Sequence, residues 1–262
     1  MAKPSIRRKF RDALFGAPRD PFNKDMRQHI ALAAFMAWVG LGADGLSSAN
    51  YGPAEAFLAL GANTHLALYL AAATAITVFV IALCYNQVIA LFPGGGGGYK
   101  IASRLIHPTA GAVSGSALII DYMLTIAISV ASGMDALFSL LPLAWQPYKI
   151  SVAAGLILLL IWLNMRGVKE SVRVLLPVFL GFVITHAYLI IHGIIAHADR
   201  LPGLIPDTVA KTQGLSLEMG WVFVLALFFK AFSMGGGTYT GLEAVSNNVC
   251  NLAEPRVRTA QW

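Results

Sequence analysis

The chain has 262 residues, 57% of them hydrophobic and only 12% charged, with a mean hydropathy of +0.67 and a net charge of +6. A soluble domain carries about 25% charged residues, so this composition excludes an ordinary globular domain and indicates an integral membrane protein. Eight of the Lys and Arg residues fall in 1–29, and because an apolar span follows at once they read as a cytoplasmic tail, not a nucleic-acid arm.

Apolar windows of about 20 residues place six spans along the chain. They run over 30–60 (interrupted at 42–46), 66–91, 111–141, 150–165, 172–196 and 219–249 (interrupted near 234–239). Arg7 and Arg8 have no apolar core directly behind them, so the first span reads as an uncleaved signal anchor. The first and last spans are too long for one straight crossing, and each is expected to be two half-helices joined by unwound chain. The glycine-rich stretch FPGGGGGYK at 92–100 lacks the Lys-Ser/Thr pair of a phosphate cradle and reads as a pliant cytoplasmic turn. The Pro- and Gly-punctuated segment 198–218 reads as an external loop. With the N-terminus inside, 15 Lys/Arg fall in inside segments and 3 in outside ones, and Lys230 lies within the sixth span. That ratio follows the positive-inside rule and places both termini in the cytoplasm.

The expected organisation is a basic tail (1–29), a five-helix repeat (30–196), an external loop (197–218), a broken sixth helix opening a second repeat (219–249) and a cytoplasmic segment (250–262). An inverted five-helix repeat would make the chain a truncated one, with the remainder of the second repeat absent. Cys84 and Cys250 read as apolar fillers, not as a disulfide framework or metal ligands.

Three carboxylates, Asp44, Asp121 and Glu243, fall where lipid would surround them. A charge at mid-bilayer costs about 2.5 to 3.5 kcal/mol on insertion scales, a penalty that is tolerable where the group lines a cavity and binds something. In the third span Asp121, Thr125, Ser129 and Ser132 share one helical face, forming either a hydrogen-bonded seam between helices or a pathway lining; the carboxylate favours the pathway. Asp44, Ser47, Ser48, Asn50 and Tyr51 surround the first break. Oxygen ligands suit a hard cation, and a carboxylate there would repel an anionic substrate group. Tyr239, Thr240 and Glu243 follow the glycines of the sixth span. Glu243 is either a proton-coupling residue, its pKa raised by desolvation, or a structural partner of Lys230 or a cytoplasmic arginine. Glu55 and Asp135 lie near the outer ends of their spans, where they reach water. His186 and His192, six residues apart on different faces, read as hydrogen-bonded core histidines and not as a metal or proton relay. No nucleophile–base pair or ligand-spaced metal cluster suggests an enzyme.

The runs GADGLSSANYGPAEAFLALG, FPGGGGGY, LIIDYMLTIAISVASG and YTGLEAVSNNV…EPR together resemble the amino acid–polyamine–organocation superfamily and, within it, the KimA/Kup branch of potassium importers. The resemblance covers roughly residues 25 to 258. It implies an all-α integral membrane, LeuT-like inverted-repeat fold, with six transmembrane helices present here and helices 1 and 6 broken. It implies a substrate/ion path lined by Asp44, Tyr51, Asp121, Tyr122, Thr125, Ser129, Thr240 and Glu243, and potassium uptake coupled to protons. The expected partners are a lipid bilayer and a small cation or amino acid, with no nucleic acid; the oligomeric expectation is a homodimer. No cofactor is expected beyond the transported potassium ion and proton. The setting is a cell membrane. ADGLSS departs from the Gly-Ser-Gly type of break common in amino acid permeases of the superfamily, which speaks against that alternative without removing it. A truncated, non-transporting membrane protein is the third reading.

Overall fold

A computed structural model describes Asp12 and residues 31–262; the rest of the basic tail and the start of the first expected span lie outside the described residues. The described chain is helical, with one parallel β-bridge between Leu32 and Leu252. The long helices are α1 (Ala34–Ala59) and α2 (Ala67–Leu91), the short α3 (Gly97–Ile101), then α4 (Pro108–Ser139), α5 (Lys149–Arg166) and α6 (Val168–Ala196). They continue with α7 (Leu201–Met219), α8 (Trp221–Met234), α9 (Ala244–Asn247) and α10 (Arg256–Gln261).

Local chemistry accounts for the boundaries. Pro108 opens α4 at a position where no N–H is needed, and the Thr109 N–H donates to His107 Nδ1 at 3.2 Å, closing the helix start. Gly220, with φ at +84°, ends α7 and sets off α8. Five helical stretches among the described residues are long and apolar enough to cross a membrane: Thr64–Leu91, Pro108–Ser139, Leu143–Arg166, Glu170–Ala196 and Trp221–Tyr239. At most 17% of the apolar window in any of them is buried within the described protein, which leaves their apolar surface open, as suits helices of a membrane protein.

The first expected span does not join that set. α1 has 26 residues, long enough to cross, but Gly, Asp, Ser and Asn dilute its middle. Nor is α1 interrupted at 42–46 as the sequence predicts: it runs unbroken from Ala34 to Ala59 and carries Pro53 inside. Its glycines are not adjacent to one another, so their helix-disfavouring losses do not fall on consecutive residues. The segment expected to be an irregular loop at 198–218 is also helical. Pro202 sits in the first turn of α7, where proline is accommodated, Pro206 inside the helix forgoes only the bond to the Pro202 carbonyl, and Thr208 and Thr212, one turn apart, are buried against the protein.

The chain divides into two compact units, one of Met1–Ala43, Gln87–Pro177 and Glu243–Trp262, the other of Asp44–Asn86 and Val178–Leu242. In the first unit, the Leu32 N–H donates to the Asn251 carbonyl at 3.0 Å and the Ala253 N–H donates to the Leu32 carbonyl at 2.9 Å. Leu32, Ala37 and Leu252 are buried together around this clamp. In the second unit Leu60, Leu66, Leu70, Val224 and Ala231 form the core, with Phe228 and Phe232 packed against it.

Candidate functional site

The expected site residues divide between the two units. Asp44, Tyr51 and Thr240 belong to the second; Asp121, Tyr122, Thr125, Ser129 and Glu243 belong to the first.

In the second unit, α8 stops at Met234, and Gly235–Tyr239 continue as a tighter 3-10 turn. Thr240 is extended and Gly241 takes φ at +88°, so backbone groups leave the α-helical ladder over 235–241. The stretch 44–56 of α1 lies antiparallel along this turn. A Cβ on Gly241 would stand 2.8 Å from Asp44 Cγ, one on Gly237 3.1 Å from Tyr51 Cε2, and one on Gly235 2.9 Å from Ala56 Cβ. A Cβ on Gly52 would lie 2.6 Å from the Thr238 backbone nitrogen. The glycines of α1 thus admit the backbone of 238–241 rather than unwinding their own helix. Asp44 lies against the unwound turn. Ser47 Oγ donates to the Asp44 carbonyl at 2.8 Å, and the hydroxyls of Ser48 and Tyr51 share a 3.1 Å hydrogen bond. Ser48 is fully buried. Pro53 lacks the N–H that would bond the carbonyl of Ala49, which releases a backbone oxygen without breaking α1.

In the first unit, Asp121, Thr125 and Ser129 follow one face of α4. Thr125 is buried, and Ser129 Oγ is shielded from solvent with no hydrogen-bond partner among the described residues. An unsatisfied buried hydroxyl costs about 1 to 3 kcal/mol. That fits a lining which meets a passing polar species better than a finished helix seam. Glu243 precedes α9, and its Oε1 is shielded from solvent.

The glycine loop differs from the pliant turn expected of it. Gly95, Gly96 and Gly97 all have positive φ, at 78°, 99° and 42°. The Gly96 N–H donates to the Asn247 carbonyl at 3.1 Å, and Lys100 Nζ donates to the Gly95 carbonyl at 3.2 Å. The loop is docked on the segment that follows Glu243.

Asn247 was not among the candidates, although its side chain donates to Tyr122 Oη at 2.9 Å. The signal available was an adjacent amide pair, Asn247-Asn248, closing an apolar segment. Asp135, at the exposed end of α4, pairs with Lys149, and His186 bonds the Phe182 carbonyl at 2.9 Å while stacking on the Phe182 ring.

A family model described as amino acid permease matches residues 32–260. The chain is also 33% identical over 234 residues to the potassium transporter KimA of Bacillus subtilis (strain 168), an overlap of 87% of this chain and 37% of that protein. The chain therefore spans little more than a third of this relative's length.

Proposed function

Since the chain belongs to the amino acid permease family and is a membrane protein, we propose that it serves secondary active transport of a monovalent cation, potassium being the substrate and protons the coupling species. The observation that carries this reading is Asp44 placed against the unwound Gly241 turn, with Ser48 and Tyr51 following it at i+4 and i+7 on the same face of α1. A carboxylate with hydroxyls on the same helix face offers oxygen donors of the kind a hard cation takes. It opposes the carboxylate of an amino acid, which takes free backbone N–H groups at a helix N-terminus. The likeness to a potassium transporter supports the same choice.

In this proposal Asp44, Tyr51 and Thr240, and likewise Asp121, Tyr122, Thr125 and Ser129, are oxygen ligands for the transported cation. Glu243, whose Oε1 is shielded from solvent, is the residue that would carry the proton. The 235–241 unwinding acts as the broken sixth helix of such a transporter, the membrane is the cell membrane, and the N-terminus is cytoplasmic.

Rubidium uptake by the complete protein, in cells without other potassium importers, tests the reading. Asp121→Asn is expected to weaken uptake about tenfold or more, since a charged ligand is worth about 1.5 to 3 kcal/mol. Asp135→Asn, which removes only an exposed ion pair with Lys149, is expected to leave uptake within about twofold. Glu243→Gln is expected to abolish accumulation driven by a pH gradient while rubidium still binds. The family's description favours one other reading, amino acid transport. Amino acids that compete with rubidium, or that are taken up in its place, would replace the cation with that substrate.

A further inference from the structure

Asn247 joins three parts of the first unit through three separate groups. Its carbonyl accepts the Gly96 N–H at 3.1 Å, its own N–H donates to the Glu243 carbonyl at 3.0 Å, and its side-chain Nδ2 donates to Tyr122 Oη at 2.9 Å. Its Oδ1 occupies the space where a side chain at Gly97 would stand, and Ser246 Oγ lies 2.8 Å from the same point. Gly97, with φ at +42°, is therefore shaped around this amide. One residue connects the glycine loop, the segment carrying Glu243 and the middle of α4.

The bond to Tyr122 has a chemical consequence. A phenol oxygen has two lone pairs and one rotatable O–H. An amide donor at 2.9 Å takes one lone pair and thereby restricts the directions open to the rest of the hydroxyl. A cation ligand must present a lone pair, and an oxygen held in advance loses less freedom on binding. We infer that Asn247 is a positioning residue for cation recognition: it orients the Tyr122 hydroxyl and ties it, through its own backbone, to Glu243 and the glycine loop. This rests on the transport reading above, in which Tyr122 is a ligand, and extends it to a residue that reading does not use.

The test is a pair of double-mutant cycles on the complete protein, with Asn247→Ala, Tyr122→Phe and the combination. In rubidium uptake, Asn247→Ala is expected to raise the half-saturation concentration about 2- to 10-fold, the worth of one hydrogen bond, with the maximal rate little changed. Tyr122→Phe should raise it at least as much, and the double variant no further than Tyr122→Phe alone, because both remove the same contact. Asn247→Leu keeps the branched shape beside Gly97 without the donor; it should behave like Asn247→Ala. Wild-type half-saturation in Asn247→Leu would show that the amide only fills space and overturn the inference. Additive effects in the cycle would overturn it too. The second cycle reads thermal stability of the purified protein without rubidium, where the two single substitutions should again be non-additive. If the wild-type protein takes up no rubidium, the transport reading fails, and the stability cycle alone decides whether the Asn247–Tyr122 tie exists.

Discussion

Gly40, Gly42, Gly45 and Gly52 punctuate α1, yet the helix runs from Ala34 to Ala59. Gly235, Gly236 and Gly237 end α8, and the chain stays out of α-helix until Ala244. The two stretches carry similar numbers of glycines, and each glycine disfavours helix by about 1 kcal/mol relative to alanine. What separates them is adjacency. In α1 no two glycines are adjacent, and propagation carries the helix across each weak point, Pro53 included. At 235–237 the losses fall in one turn, about 3 kcal/mol together, and Thr238, Tyr239 and Thr240 beyond them do little to restart a helix. The α1 glycines are used for contact instead, and one of the surfaces they receive is the unwound turn itself. Within the second unit, the stretch that stays helical and the stretch that unravels are complementary halves of one packing arrangement.

Placing a methyl group at chosen glycines breaks or sharpens this contrast. The largest effect is expected at Gly52. Its Cβ would meet the backbone nitrogen of Thr238 at 2.6 Å, and a backbone cannot rotate aside. Gly52→Ala should destabilise by about 3 kcal/mol or more and sharply lower the yield of folded protein, measured by size-exclusion recovery in detergent. A smaller effect is expected at Gly40, whose Cβ would stand 2.5 Å from a methyl of Val172, a side chain that can shift. Gly40→Ala should cost about 1 to 2 kcal/mol, seen as a lower thermal midpoint, and Val172→Ala should restore part of it. Gly236 closes the series. No atom lies within 4 Å of its would-be Cβ and its φ is not positive, so Gly236→Ala should fold with unchanged or slightly higher stability. If adjacency unwinds this turn, the same change should also slow rubidium uptake by tightening the 235–239 segment. A Gly52→Ala protein as stable as wild type would remove the packing role given to α1.

Spans two to five were legible because their apolar runs are long and scarcely diluted, and the structure places those helices within a few residues of the expected limits. The α1 interruption was misread because counting glycines ignores their spacing and what packs on them. The helix at Leu201–Met219 was hidden because two prolines signal breaks, yet Pro202 stands in the first turn and Pro206 lies within the helix without ending it. At the site, carboxylates in apolar surroundings were conspicuous: Asp44 and Asp121 stand out by cost alone. Asn247 carries no charge, and its importance comes from Tyr122, 125 positions earlier in the chain, a pairing that no local pattern encodes.

The bridge between Leu32 and Leu252 also bears on when this protein can be complete. Chains are made at about 5 to 20 residues per second, and the partners lie some 220 residues apart. The segment leading into α1 therefore waits about 10 to 45 seconds on the ribosome for the strand that satisfies its backbone. During that interval the Leu32 N–H and carbonyl lack their partners, and the leucines that bury one another are open to a chaperone or to insertion machinery. A nascent chain stalled before Ala253 would hold its helices in the membrane with its beginning still unfastened.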